Sequence, residues 1–419
     1  MFKKLFVVLV IGLLFSPAVF AGEAANFVST QMVPAAEQKF AKGVLLKGFT
    51  DETGIPVEFI PMEYADAVVR LSAEVAARKV AISAIGDLHG GLDVMNAKGL
   101  FTNLAGIKLP KRTFIKSLED HSVIAGKKVY VPWMQATYVM VVNKKAFDHL
   151  PAGLNTEDVM GATGKWTYDM LLKWAMNLEG ALKAPKLGFP IGPKGLWHRF
   201  LHGYIYPSFT GYQAKAFDSA GAVALWEYQR ELLPYIHPAS STWEAMDEPL
   251  LKEEVLIAWD HTARIKPAIV QKPEAFAIVP VPSGPKGRGY ITVAVGLAIP
   301  VRAPQKDNAI KLIDYLTRPD VQVQVLKNVG FFPTVKEAGG AIPAGPLKIL
   351  AKGVLTQSAA ADSIMVMIPS LGPKGGDFTA LYRDVFTKVV IEKADIERTL
   401  KGAAAKLRAI FKEIGVPMV

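Results

Sequence analysis

The sequence predicts an α/β protein of about two domains. From residue 35 onward, apolar helical stripes alternate with short strand-like runs, which is the pattern of a mostly parallel sheet. Hydrophobic residues make up 51% of the chain, enough to build sizeable cores. Some 400 positions follow an N-terminal leader, about the length of two domains.

The leader comes first in the chain. Lys3 and Lys4 precede an apolar run from Leu5 to Phe15, and Ser16-Pro17 breaks it. Val19-Phe20-Ala21 offers the small residues that a signal peptidase reads. The run is too short for a permanent span, so residues 1–21 read as a cleaved signal peptide rather than a retained anchor. The mature protein is expected in the periplasm.

The spacing then predicts a helix over 35–49, a turn at Thr50–Gly54 and a strand over 55–60. A helix over 65–78 and a buried strand over 80–85 follow. Residues 128–133 and 138–143 read as strands. Helices over 166–178 and 220–233 carry Trp174 and Trp226 on their apolar stripes, which assigns both to the core. Strands are expected over 253–259, 275–281 and 290–299, with Pro282–Gly289 as a loop. A helix over 306–316 leads to Pro319 in the first turn of the next, and 377–414 is mostly helical. No internal repeat and no low-complexity segment is visible.

Composition excludes several function classes. The 419 residues contain no cysteine, which removes disulfides, zinc-thiolate sites, cysteine nucleophiles and lipid attachment at cysteine. The formal charge of +10 falls to +8 once Lys3 and Lys4 leave with the leader. Its cations are scattered among acids, so no nucleic-acid footprint is expected. The balance suits mild steering of an anionic solute.

One motif raises an enzymatic reading. Gly86-Asp87-Leu88-His89-Gly90 matches the Gly-Asp-x-His-Gly signature of metal-dependent phosphoesterases. A binuclear site needs several further His, Asp and Asn ligands from other strand ends. The companion signatures, Gly-Asp-x-x-Asp-Arg and Gly-Asn-His-Asp/Glu, do not occur. His-Glu-x-x-His, Gly-x-Ser-x-Gly and the phosphate-binding Gly-x-x-x-x-Gly-Lys-Ser/Thr are also missing; Gly161-Ala-Thr-Gly-Lys165 has the wrong spacing. No catalytic constellation, metal site or cofactor motif emerges. Carboxylate pairs are plentiful but none is singled out, so a secreted hydrolase stays as an alternative.

The order of segments resembles the carbohydrate-type extracellular solute-binding proteins of ABC importers, the maltose-binding-protein-like family 1, along nearly the whole mature length. KGFTDETGIPVEFIPMEY (47–64) is similar to the family's opening, VPWMQATYVMVVNKKAF (131–147) to its crossover strands and GKWTYDMLLKWAMNL (164–178) to its Thr-Trp-Asp-Glu-Leu helix start. FAIVPVPSGPKGRGYITVAVGLAIPVRAPQKDNAIKLIDYLTRPDVQ (276–322) carries the Pro-x-Pro-x-Gly loop, the Gly-x-x-Ile-Pro strand end and the Leu-Thr-x-Pro junction in family order. Two places depart: Trp259-Asp-His-Thr262 stands where Asn-Gly-Pro-Trp is usual, and Phe331-Phe332-Pro333 replaces an aliphatic residue before Pro.

The resemblance implies the two-lobed type II periplasmic-binding-protein-like fold, each lobe a mostly parallel sheet flanked by helices. The lobes would be 22–132 plus 292–328 and 136–288 plus 335–419, hinged near 133–135, 289–291 and 329–334. A solute would be captured in the cleft between them and passed to the membrane permease of an ABC importer, by a monomer that performs no chemistry. The solute is expected to be a sugar or oligosaccharide; a polyamine, an iron complex or an organic anion is the alternative.

Ligands of open α/β sheets sit beyond the carboxyl ends of strands, so Asp87 and His89 either bond a solute's hydroxyls or merely cap their loop. Sugar recognition needs aromatic faces and polar groups. Trp133, Trp197, Trp243 and Trp259 lie off the helical stripes and are candidates for the faces. Tyr64, Asp66, Gln135, His198, Asp260 and Phe331 are candidates alongside them.

Overall fold

The structure, a computed structural model, describes residues 23–369, 371 and 374–419. The expected signal peptide and its cleavage point lie outside these residues. The strands are β1 (Ala25–Ser29), β2 (Val57–Pro61), β3 (Ala84–Leu88), β4 (Val123–Ile124), β5 (Lys127–Lys128), β6 (Val131–Asn143), β7 (Leu187–Gly188), β8 (Ile257–His261), β9 (Phe276–Val279), β10 (Arg288–Ala298), β11 (Phe332–Pro333) and β12 (Ser363–Val366). Ten of them form one sheet in the order β2-β1-β3-β10-β6-β8-β7, with β9 and β11 on β6 and β12 on β10; β4 and β5 pair separately.

The pairing is mixed. β1 runs parallel to β2 and β3, β12 parallel to β10, and β7 parallel to β8. The long strands β6 and β10 pair antiparallel with each other, with a bulge between Val295 and Gly296. Their length explains their role. Both are buried almost end to end, and each enters two different hydrophobic clusters. They therefore run through both lobes as a continuous ladder. Gln135 is spent on this seam: its Nε2 donates to the Pro333 carbonyl at 2.8 Å, and its Oε1 accepts from Thr292 at 3.3 Å.

Helices cover both faces. In the first lobe, Val28, Ile85, Leu92 and Tyr130 pack on one face, and Phe27, Phe49, Trp133 and Leu312 on the other. The second cluster continues behind the seam to Val141, Ile278 and Leu350. The second lobe has its own core, rich in aromatics: Trp166, Trp174, Tyr204, Trp226, Trp259 and Phe386. Trp174 and Trp226 are fully buried, as their stripes predict.

Local signals set many boundaries. Gly54, at φ 71, ends the helix Leu46–Thr53 in the left-handed region that suits glycine. Thr167 caps Tyr168–Leu182 through the Met170 N–H. Pro319 opens Pro319–Asn328, where its missing N–H costs nothing.

Candidate ligand-binding cleft

The carboxyl ends of β3 and β12 point toward each other along the same edge of β10. β3 reaches Leu88 opposite Val295, and β12 reaches Val366 opposite Ile291. Between them lies a cavity of about 530 Å³ with walls from both lobes, including His89, Asp93 and His121 on one side and Gln213, Met367 and Phe411 on the other. β8 ends at His261, which pairs with Tyr138 just past the seam.

The first-lobe wall is built on the GDLHGG stretch. This stretch is not a loop. Gly86-Asp87-Leu88 closes β3, and His89 opens the helix His89–Ala97. The strand lies further along than residues 80–85 because Ala81 and Ile82 give their N–H groups to the Glu74 carboxylate and stay out of the ladder. The glycines serve close packing, and none of them has a positive φ. A Cβ on Gly91 would stand 2.0 Å from Asp87 Oδ2 and 2.7 Å from the Tyr64 ring; one on Gly86 would press Trp133 at 3.0 Å.

Asp87 is 1% exposed. Its Oδ1 accepts from the Thr30 hydroxyl and from the Leu88 N–H, while Oδ2 has no partner. Burial outweighs these bonds and pushes its pKa up to about 6. His89 Nδ1 approaches the Ala294 carbonyl at 3.4 Å, its Nε2 is unpaired, and burial lowers its pKa to about 4. Asp87 and His89 thus turn to different partners. Among the described residues no group of three or more His, Asp or Glu is placed to hold a metal ion. Tyr64 and Asp66 begin the helix Tyr64–Ala76; Tyr64 is 40% exposed and Asp66 is exposed.

On the second-lobe side the cavity is lined by Tyr212, Gln213, Met365, Met367 and Phe411, and a stack of rings fills the core of that lobe. Trp259 lies flat on Tyr138 at 4.9 Å and 5°, and edge-on to Phe200, which stacks on Trp197 at 4.7 Å and 11°. The helical run from Trp197 through Thr210 carries Trp197, His198, Arg199 and His202, none of which lines the cavity. Arg199 Nη1 donates to His202 Nε2 at 3.4 Å and interacts with the Tyr138 phenol. His202 Nδ1 meets the Gln213 amide at 3.2 Å, which links the cluster to the cavity. Arg383 reaches His198 Nδ1 at 3.1 Å and the Gly195 carbonyl, and Arg264 reaches the Glu244 carbonyl.

Burial and the neighbouring guanidinium groups hold His198 down to about 3, and His261 to about 4. They hold His202 well below its usual value. Asp260 accepts from the Met246 and His261 N–H groups, yet full burial raises it to about 7.

The candidate aromatics divide. Trp133, Trp197 and Trp259 are at most 2% exposed: Trp133 packs edge-on to Phe27, and the other two are part of the ring stack. Trp243 is partly buried and stacks on His237 at 4.9 Å. Phe331 is partly buried beside β11. The exposed rings belong instead to Tyr64 and Tyr212, and Tyr212 lines the cavity. Sequence reasoning passed over Arg199, Arg264, Arg383 and His202, whose only signal was basic residues within apolar segments.

A family model described as bacterial extracellular solute-binding protein matches residues 29–323. Among solved structures, the sugar-binding protein MalE of Xanthomonas citri aligns with a TM-score of 0.69 at 15% identity, over 93% of this chain and 98% of that one. A cyclic α-maltosyl-1,6-maltose binding protein of Arthrobacter globiformis aligns at 0.66 and 16%, over 93% and 99%. UgpB of Mycobacterium tuberculosis, in complex with glycerophosphocholine, aligns at 0.63 and 17%, over 93% and 98%. At these identities the likeness shows the fold, the two-lobed type II periplasmic-binding-protein architecture. No curated protein sequence matches the chain.

Proposed function

The chain belongs to the bacterial extracellular solute-binding protein family, and from that premise we propose that it captures a sugar or oligosaccharide between its lobes and delivers it to the permease of an ABC importer. The observation that carries this reading is the cavity between the facing carboxyl ends of β3 and β12, with walls from both lobes. His89, which lines the cavity, with Asp87, Thr30 and Tyr64 grouped near it, would meet hydroxyl groups from the first lobe. The similar folds named as sugar-binding proteins support a carbohydrate as the solute.

In this reading the protein is a periplasmic monomer without catalytic activity, and residues 1–21 are removed on export. Among the described residues no helix is long and apolar enough to cross a membrane. The lobes comprise 22–132 plus 292–328 and 136–288 plus 335–419, and they move about segments 133–135, 289–291 and 329–334. Gly330, at φ 92, and the bulge in β10 beside this seam are natural places to absorb rotation.

The test is a thermal-shift screen of the mature protein against sugars, amino acids, polyamines and metals, followed by small-angle scattering with each hit. A saturating sugar should raise Tm and shrink the radius of gyration. A sugar that raises Tm with an unchanged scattering profile would remove the closure step, and hits confined to amino acids, polyamines or metals would remove the carbohydrate.

A further inference from the structure

The cavity between the lobes is polar on one side and apolar on the other. Its titratable side chains come from the first lobe. His89 and Asp93 stand one turn apart on the helix His89–Ala97, so they share a face, and His121 joins them from the end of Lys116–His121. His89 is buried and leaves its Nε2 without a partner among the described residues. Asp93 and His121 are exposed, and neither side chain makes a hydrogen bond or ion pair among the described residues.

The opposite wall has little to offer a hydroxyl group. The end of β12 and the residues after it supply Met365, Val366, Met367 and Ile368 in succession, with Phe411 beside them. The segment after the helix Ile396–Ile414 adds Val416, Pro417 and Val419; the Ala214 and Lys215 N–H groups hold the Val419 carbonyl at 2.7 and 2.8 Å. Gln213 turns its amide nitrogen away to His202, at 3.2 Å. Tyr212 contributes an exposed ring and its hydroxyl.

A bare oligosaccharide suits this asymmetry poorly, because hydroxyl groups buried against methyl and thioether groups lose their water without gaining a partner. Resting on the sugar-binding reading above, we propose that the captured solute is an amphipathic glycoside: a sugar whose hydroxyl groups meet His89 and Asp93, joined to an aromatic aglycone that lies against Met365, Met367 and Phe411. Thioethers adapt their shape and make favourable contacts with ring edges, which favours an aryl group over a plain alkyl chain. The cavity, about 530 Å³, has room for both parts. Affinity would come from the apolar surface removed from water, and orientation from the polar groups at the other end.

Calorimetric titration of the mature protein with matched pairs reads this directly. The pairs are the phenyl and methyl glycosides, in both anomers, of glucose, galactose and xylose; maltose and cellobiose serve as bare oligosaccharides and phenol as the aglycone alone. At least one phenyl glycoside should bind roughly fivefold to a hundredfold tighter than its methyl counterpart, with a more negative heat-capacity change. Met365→Gln combined with Met367→Gln should cut that advantage below about threefold and leave methyl glycosides within about twofold of the parent. Asp93→Ala, on the polar side, should weaken phenyl and methyl glycosides by a similar factor, about fivefold. Met176→Gln, the same exchange at an exposed helical position, should alter neither. If the double variant fails to fold, Met365→Gln alone repeats the comparison, since Met365 is only partly buried. Phenyl glycosides less than fivefold tighter than their methyl partners, a bare oligosaccharide tighter than every phenyl glycoside, or an advantage that survives the methionine exchange overturns the aromatic assignment and leaves the sugar-binding reading standing. Phenol bound as tightly as its glycosides overturns the amphipathic solute as well. If no glycoside or oligosaccharide binds at millimolar concentration, the carbohydrate reading fails and this inference fails with it.

Discussion

The two walls of the cleft are made differently. The first-lobe wall is backbone-built: β3 ends at Asp87, a helix starts at once, and glycine lets the pieces touch. Its polar side chains are short, and its buried charge is a carboxyl. The second-lobe wall is side-chain-built: Tyr212, Gln213, Met365, Met367 and Phe411 line it, and a stack of indole and phenyl rings fills the core of that lobe. A backbone-built wall fixes a few atoms closely. A side-chain-built wall depends on the packing beneath it. A wall with His89, Asp93 and His121 facing a largely apolar one across one gap would orient a solute as well as hold it.

Three substitutions sharpen this contrast, in falling order of effect. Trp259→Ala removes a fully buried ring from the second-lobe core. The loss should be about 3–5 kcal/mol of stability, the range for a core tryptophan, and Trp174→Ala should match it in urea unfolding. A melt within a degree of the parent, with ligand affinity alone reduced, would mean that Trp259 faces the solute and that the ring stack is not a foundation.

Asp87→Asn probes the first wall through pH. The folded pKa is raised to about 6, so the carboxyl favours folding while protonated and opposes it once ionised. Relative to the Asn variant, the parent should lose stability as pH climbs from about 4 to 6, by at most about 3 kcal/mol. Urea midpoints for both proteins at pH 4 and 7.5 measure this; parallel shifts would place Asp87 in water. Gly91→Ala drives a methyl into Asp87 and Tyr64, and overpacking of this kind costs about 1–3 kcal/mol. An Ala variant as stable and as competent in binding as the parent would show that the first wall is looser than its backbone suggests.

Where the sequence pattern was local, it foretold structure well. The helix over Lys306–Leu316 has the expected ends, and β10 follows the uninterrupted apolar run around residues 290–299 within two residues. Boundaries slipped where a distant side chain intervened, as when the Glu74 carboxylate moved the start of β3. The helical run from Trp197 to Thr210 went unseen because its aromatics and Pro207 favour other states; burial on every side overrides that preference. The tryptophans teach the sharper lesson. Lying off a helical stripe does not expose a ring, because strand ends and first helical turns can be as deeply packed as helix centres. The arginine cluster was invisible for a related reason: its members come from positions 199, 264 and 383, and only the folded chain brings them together.

The shared seam also has a consequence for how the chain comes into being. β3 is bordered by β10, with Asp87 opposite Gly296, so a strand of the first lobe waits for a neighbour translated roughly two hundred residues later. A nascent chain emerging N-terminus first holds β1–β3 with an open edge for that whole interval. Contacts of such long sequence separation form slowly, and an unpaired apolar edge invites association with other chains. A truncation before β10 should therefore yield aggregate rather than a free-standing first lobe.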